Sequence, residues 1–134
     1  MKYGDVELGD DLPDWRPDVS MEKVRRFVAI TDLNFPRFTD HEYARAEGLP
    51  GALVPGIMSQ GHLAAMIHAW APGCTIRRID TVFRTPIVVG THPTGSGAVT
   101  DTDDDTHTVE IDLTIVNEDG STGVLGTALV ELPA

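Results

Sequence analysis

The chain has 134 residues, of which 41% are hydrophobic and 23% are charged, a composition typical of a globular domain rather than of a disordered, fibrous or membrane protein. A chain of this length can bury about two thirds of the surface that its unfolded form exposes, so we expect residues 1–134 to form a single domain. Ten basic residues against 21 acidic ones give a formal net charge of −11, which opposes binding to nucleic acid or to an anionic membrane surface.

Cysteine use and the amino terminus indicate the compartment. Cys74 is the only cysteine, so no intrachain disulfide can form, and no cysteine and histidine cluster has the spacing of a zinc site. The first residues carry no cationic stretch followed by an apolar run, and no apolar segment approaches the roughly 18 residues that cross a bilayer. The sequence therefore predicts a cytoplasmic protein with no metal, no cofactor and no membrane partner.

The first third of the chain predicts a surface segment and a short helix. Residues 3–17 are acidic and interrupted by glycine and proline, which favours a loop or edge strand on the surface. Ser20 can accept a bond from the first helical turn, and apolar residues recur at helical spacing over residues 21–30. We therefore expect an amphipathic helix at 21–30.

Proline and glycine place the boundaries of a second small helix. Pro36 interrupts the helical pattern, so residues 32–39 are predicted to be a break between helices. Asp40 can cap a helix over residues 41–47, and Gly48 can adopt the left-handed conformation that ends it.

The most unusual segment is an apolar run at 57–70. No Asp or Glu occurs between Leu49 and Ile79, although the chain as a whole is strongly acidic. A helix that is apolar on nearly all faces is enclosed by something else. Gly56 and the small residues that follow it leave room for a backbone or a ligand near the amide end of this helix.

The second half of the chain changes to the period of β-strands. Strands are predicted over residues 74–83, 94–101, 106–116 and 124–132, with a hairpin turn at 117–121. The acidic run at 101–105 is predicted to be a solvated hairpin tip, because it lacks the ligand spacing of a calcium loop. Helices followed by an antiparallel meander predict an α+β hotdog fold, a curved antiparallel sheet wrapped around a long central helix.

Four motifs in the same order resemble the MaoC-like (R)-specific enoyl-CoA hydratases and dehydratases. The first reads Thr31-Asp32-Leu33-Asn34-Phe35-Pro36-Arg37-Phe38-Thr39-Asp40, and the second is Glu42-Tyr43-Ala44-Arg45-Ala46-Glu47-Gly48. The third is Gly51-Ala52-Leu53-Val54-Pro55-Gly56-Ile57-Met58, and the fourth is Phe83-Arg84-Thr85-Pro86-Ile87-Val88-Val89-Gly90-Thr91. The resemblance covers nearly the whole chain and implies the hotdog fold.

The resemblance also implies a catalytic pair. In this family an Asp and a His act as acid and base on the enoyl thioester. Asp32 and Asn34 match the family motif, so Asp32 is the candidate acid or base and Asn34 the residue that orients it. Phe38 stands where the family has its histidine. Asp is also common as a turn residue, and Asn34 is equally compatible with a role in shaping the loop.

The remaining candidate residues belong to the substrate pocket. The resemblance implies that the Gly56 N–H faces the thioester carbonyl, at a helix end that suits an oxyanion. Phe38, Ile57 and Pro55, which replaces a second family histidine, are the other predicted substrate-binding residues. Arg37 and His41 are expected to lie at the surface, and Cys74 to be a structural thiol.

Three functions remain open at this point. The first is a hydratase or dehydratase of 2-enoyl-CoA and 3-hydroxyacyl-CoA thioesters, acting alone or as one subunit of a two-chain enzyme of fatty-acid or steroid side-chain degradation. The second is a catalytically silent MaoC-like partner subunit that shapes the acyl tunnel. The third is a hotdog acyl-CoA thioesterase, which usually has a carboxylate on the central helix where this chain has none. Since a hotdog sheet has exposed edges, we expect a homodimer or a heteromer with another MaoC-like chain.

Overall fold

The first half of the chain is helical and the second half forms one antiparallel sheet. The computed structural model describes all 134 residues. After a short 3-10 turn at Tyr3–Asp5, the helices are α1 (Met21–Thr31), α2 (Pro36–Thr39), α3 (His41–Ala46) and α4 (Gly56–Trp70). The strands are β1 (Thr75–Phe83), β2 (Thr94–Asp103), β3 (Thr108–Val116) and β4 (Thr122–Glu131), in the sheet order β1-β4-β3-β2. The predicted long helices and all four predicted strands are confirmed.

The core lies between α4 and the sheet. Four apolar side chains of α4 are buried, namely Met58, Leu63, Met66 and Ile67. They belong to one cluster with the inward-facing residues of the strands, including Ile111, Leu113, Ile115, Val124 and Val130. Each such side chain contributes about 1.5–3 kcal/mol when it leaves water. This burial holds the long helix against the sheet and explains why an apolar run became the central element.

The single chain leaves one face of α4 uncovered. One face of the helix stays exposed, and it is formed by Ile57, Gly61, Ala65, His68 and Ala69. The four strands cover only one side of α4, and no other element of the chain reaches the opposite side. A largely apolar helix with one open face indicates that a further surface is needed to bury it.

The two outer strands of the sheet differ in what covers them. The amino-terminal segment runs along β2, where Leu12 N–H donates to the Gly97 carbonyl and Trp15 N–H to the Gly95 carbonyl, both at 2.8 Å. This confirms that the acidic segment lies on a sheet edge. The other outer strand, β1, has no strand on its free side. An open strand edge is a site for pairing with another chain.

The predicted helix signals are present, with one correction. The Ser20 and Asp40 side chains each accept a backbone N–H bond in the first turn of α1 and α3. Gly48 has a φ of +90°, as a left-handed helix end requires. The predicted break at 32–39 is only partly correct, because Pro36 begins the short helix α2. Proline is common at the first position of a helix, because the N–H group of that position has no partner within the helix.

The turns between strands follow their sequence signals. At 117–121, Asn117 N–H donates to the Ser121 carbonyl at 2.8 Å, and Gly120 has a φ of +88°. In the acidic tip, the Asp103 carboxylate accepts the Asp105 N–H at 2.9 Å, so it closes the turn itself. No group of three or more potential metal ligands occurs. None of the helices combines the length and the apolar composition needed to cross a bilayer.

Gly126 lies where β4 closely approaches the backbone of β1, and it gives a test of the sheet register. A Cβ atom at this position of β4 would lie 2.7 Å from the Asp80 carbonyl oxygen in β1. We expect Gly126→Ala to lower the free energy of unfolding by about 1–3 kcal/mol, because the backbone must move to admit the methyl group. Urea denaturation measures the change.

Gly95→Ala in β2 is the matched control for this variant. A Cβ atom there would meet its nearest neighbour at 3.4 Å, an ordinary contact. We expect this variant to keep or raise the stability, since alanine loses less backbone entropy than glycine in a strand. Equal losses in the two variants would contradict the register.

Candidate active site

A pocket of about 270 Å³ opens beside the amino end of α4. Its walls come from the loop before α4, the end of β1, the segment after β1 and the start of β4. The lining residues are Phe38, Leu53, Val54, Gly56, Ser59, Phe83, Arg84, Thr85, Pro86, Ile87, Gly123 and Val124. The lining has no Asp, Glu or His, and Arg84 is its one charged residue. The pocket is suited to an uncharged group such as an acyl chain.

The amino end of α4 presents unpaired amides next to this pocket. The Pro55 carbonyl accepts the N–H groups of Met58 and Ser59 at 3.0 and 3.2 Å, which begins the helix. The N–H groups of Gly56 and Ile57 have no acceptor in the protein. Such free amides carry the positive end of the helix dipole and bind a partly negative oxygen well. The helix end is therefore able to polarise a carbonyl group.

Four contacts fix the loop that leads into α4. Three are backbone bonds of 2.8 Å, from Leu53 N–H to the Arg37 carbonyl, from Val54 N–H to the Ile87 carbonyl, and from Val89 N–H to the Ala52 carbonyl. In the fourth, His41 Nδ1 accepts the Ala52 N–H at 3.0 Å. His41 is therefore a structural acceptor in a partly buried place, not the surface residue that the sequence indicated.

Two aromatic rings line the pocket. Phe38 is partly buried and meets Phe35 edge-on, with ring centroids 6.2 Å apart. Phe83 is 53% exposed, yet its ring tip lies directly against Gly56. A Cβ atom at Gly56 would lie 2.8 Å from Phe83 Cζ, so only glycine fits beneath the ring as it stands.

Ser59 is the one buried polar side chain of the protein. It is 2% exposed and lines the pocket one helical turn after Gly56. In the sequence it is one of the small residues that follow Gly56, and it was not predicted as a site residue. The signal in the sequence is a single hydroxyl group in an otherwise apolar helix. Burying a hydroxyl group costs free energy unless it finds a hydrogen-bond partner.

Asp32 and Asn34 form a separate pair outside this pocket. Asn34 Nδ2 donates to Asp32 Oδ1 at 2.9 Å, and both residues are exposed. Asp32 follows the end of α1 in the left-handed region, with φ 59° and ψ 33°, and its N–H donates to the Val28 carbonyl. Asn34 borders a shallower cavity of about 440 Å³ that shares no residue with the pocket. The predicted orienting contact is present, but its catalytic role stays a prediction.

The six predicted site residues are thus divided between several places. Gly56 and Phe38 line the pocket, Pro55 is fully buried beneath it, and Ile57 is 57% exposed on the open face of α4. The residues that sequence reasoning missed are Ser59, Phe83 and Arg84.

Cys74 lies away from the pocket at the carboxyl end of α4. Burial raises the pKa of its thiol, and its Sγ is 3.6 Å from His68 Nδ1. In the sequence, the first basic residue after Cys74 is Arg77. A buried thiol with a raised pKa is a poor nucleophile, which agrees with the predicted structural role.

A larger cavity, of about 490 Å³, lies at the opposite end of β1 and β4. Its walls are mostly charged, and an ion pair between Arg77 and Glu131 is part of them. This charged groove offers neither free helix amides nor an apolar wall, so it does not suit an acyl group.

The conformation of Asp32 predicts an unusual stability series. Left-handed backbone is strained for most side chains, tolerated by Asp and Asn, and unstrained for glycine. We therefore expect Asp32→Gly to raise the free energy of unfolding by about 0.5–1 kcal/mol, Asp32→Asn to leave it nearly unchanged and Asp32→Ala to lower it. Thermal denaturation measures the order of the three. A loss in Asp32→Gly would mean that the bond from Asn34 outweighs the backbone strain.

Solved structures with the same fold include hydratases and dehydratases. An (R)-hydratase from A. caviae involved in PHA biosynthesis matches with a TM-score of 0.89 and 21% identity over 96% of this chain and 98% of that chain. The ChsH1-ChsH2 complex from Mycobacterium tuberculosis gives a TM-score of 0.86 and 20% identity over 95% and 98%. A MaoC-like dehydratase gives 0.90 and 24%, over 98% of this chain and 42% of that chain.

Comparisons of sequence find no matching family model and no matching curated protein. The structural similarity nevertheless covers nearly all of the chain. The fold implied by the four sequence motifs is thereby confirmed. This chain has the hotdog fold of the (R)-hydratases and MaoC-like dehydratases.

Proposed function

We propose that the chain is a subunit of a hydratase or dehydratase that acts on 2-enoyl-CoA and 3-hydroxyacyl-CoA thioesters. The observation that carries this proposal is the apolar pocket at the amino end of α4, where the Gly56 and Ile57 N–H groups are unpaired. An acyl chain fits the apolar walls, and its thioester carbonyl reaches the helix end.

The chemistry explains why free amides matter at this place. Hydration adds a hydroxyl to C3 and a proton to C2 of the enoyl group, and negative charge builds on the thioester oxygen on the way. Amide donors at a helix end stabilise such an oxygen, and losing one donor in other enzymes slows the reaction by about 100-fold to 1000-fold. In this chain we assign that donor to Gly56.

The acid and the base are proposed to come from a second hotdog chain. Phe38 lines the pocket at the motif position of the family histidine and cannot transfer a proton, and no other acid or base lines the pocket. The open face of α4 begins at Ile57, and the outer strand β1 ends at Phe83, whose ring lies against the neighbouring Gly56. A chain that pairs there has its own side chains next to the bound thioester, and the ChsH1-ChsH2 complex is a precedent for two such chains together.

Asp32 supports a second candidate, a hydratase that works without a partner's acid. The bond from Asn34 holds the Asp32 carboxylate in one orientation, and the backbone at Asp32 is in a sparsely populated conformation. Both features are compatible with a functional carboxylate. Movement of the segment after α1 is needed to bring it to the pocket.

An assay with crotonyl-CoA separates the candidates. We expect the purified chain to bind crotonyl-CoA in calorimetry without consuming its enoyl absorbance, and to support turnover once mixed with a MaoC-like chain that carries the Asp and His pair. Turnover by the chain alone that Asp32→Asn abolishes would favour the second candidate. Release of free CoA would indicate a thioesterase, and a lack of binding would contradict all three functions.

Two variants at one position isolate the amide of Gly56. Both Gly56→Ala and Gly56→Pro add a Cβ atom against Phe83, but only proline removes the N–H, and proline is well accepted at a first helical position. We expect Gly56→Pro to bind crotonyl-CoA about fivefold more weakly than Gly56→Ala, the equivalent of about 1 kcal/mol for one hydrogen bond. Equal affinities would show that this N–H does not contact the ligand.

The partner surface has its own test. Ala65 lies on the open face of α4, and a glutamate there would place a charge in the proposed interface. We expect sedimentation of the wild type mixed with the MaoC-like chain that carries the Asp and His pair to show a one-to-one complex, and Ala65→Glu to prevent that complex. Ala29→Glu, at an exposed alanine of α1, is the matched control and should still form the complex. A complex that Ala65→Glu leaves intact would contradict this partner surface.

A further inference from the structure

Phe83 occupies the space next to the proposed thioester site. Its ring points tip first at Gly56, with Cζ, Cε2 and Cε1 at 2.8, 3.0 and 3.2 Å from the position of a Cβ atom there. These distances leave no room for a single methyl group at Gly56 while the ring stays in place. The same ring is one wall of the pocket.

The backbone beside Phe83 is fixed, so the ring has few ways to retreat. Phe83 pairs with Val124 in the sheet, and the next residue, Arg84, donates its N–H to the Gly123 carbonyl at 2.9 Å. Ile87 packs against Gly123, where a Cβ atom would meet it at 2.9 Å. The ring is already 53% exposed, and swinging it further outward into water costs apolar contact.

The geometry of a thioester bound at Gly56 places C2 within a few ångströms of the residue that this ring contacts. When a carbonyl oxygen accepts a bond from an N–H, the two heavy atoms are about 2.9 Å apart. C2 is bonded directly to the carbonyl carbon, so substituents on C2 lie within a few ångströms of Gly56. An acyl chain that continues from C2 in one direction can pass the Phe83 ring. A second carbon attached to C2 competes with the ring for the same space.

We propose that Phe83 makes the pocket selective for acyl thioesters that are unbranched at C2. This inference rests on the proposed function, since it requires that the thioester carbonyl binds at Gly56. Phe83 is then a specificity-determining residue, acting by the space that its ring fills rather than by any chemical step.

Butyryl-CoA and isobutyryl-CoA are the probes. They are isomers in which the C4 carbon of the butyryl chain becomes a branch at C2 of the isobutyryl group, and the Phe83 variants separate the effect of the branch from that of the shorter chain. Neither has a double bond to hydrate, so calorimetry measures equilibrium binding. A misplaced methyl group in an apolar pocket changes affinity by about 10-fold to 200-fold. We expect the wild type to bind butyryl-CoA at least about 10-fold more tightly than isobutyryl-CoA.

Two variants remove the ring tip. Phe83→Leu trims the atoms that touch Gly56 and keeps an apolar side chain, and Phe83→Ala removes the ring entirely. In both we expect the ratio of the two affinities to fall below about threefold, mainly because isobutyryl-CoA binds better. Phe83→Leu keeps the test valid if the alanine variant fails to fold.

Val82→Ala is the matched control. Val82 precedes Phe83 on the same strand and is also 53% exposed, but it does not line the pocket. We expect its affinity ratio to equal that of the wild type. A change as large as in Phe83→Leu would show that disturbance of the strand edge, not the ring, sets the ratio, and would overturn the inference.

The other outcomes are also decisive. A wild type that binds both thioesters equally, or Phe83 variants that keep the wild-type ratio, would overturn the inference while leaving the proposed function intact. A wild type that binds neither thioester would overturn the proposed function together with the inference.

Discussion

The placement of the amino end of α4 depends on the loop that precedes it. Backbone bonds tie this loop to the end of α2 on one side and to the segment after β1 on the other, and His41 holds Ala52 as well. A loop tied on both sides has little freedom left, so the first amides of α4 keep a constant position. Preorganised donors of this kind stabilise charge without reorganising during a reaction. The loop before α4 and the segment after β1 also form walls of the pocket. The bonds that hold the fold together here therefore also hold the site.

The main elements were predictable because their signals are local. Strand alternation, the Ser20 and Asp40 caps and the turn at 117–121 depend on neighbouring residues, and the structure contains all of them. The open face of α4 was not predictable in this way. An apolar pattern reports that a surface must be buried but not which chain buries it, and a single copy covers only one side.

The residues of the candidate site also divide into those with a local signal in the sequence and those without one. Gly56 was identified by its motif and by its position at a helix end. Phe83 was missed because its contact with Gly56 joins the end of β1 to the start of α4, and nothing in the local sequence of either residue indicates that they meet. Ser59 was missed because its importance is its burial, which only the packed structure reveals. Asp32 was predicted as a catalytic residue from its motif, and its place outside the pocket depends on how α1 ends.

The charge distribution of the chain agrees with a thioester site at this end of the molecule. The acidic hairpin tip and the charged groove lie at the opposite end of β1 and β4 from the pocket. Arg84, at the pocket, takes part in none of the ion pairs of the structure. An anionic carrier such as CoA is repelled by the chain as a whole, so local charges decide where it approaches. Glu118 and Asp119 line a neighbouring cavity that shares Thr85 and Pro86 with the pocket. The lining of the pocket itself carries one charge, the free Arg84 guanidinium, so the proposed anionic thioester meets a positive charge beside the free amides of α4.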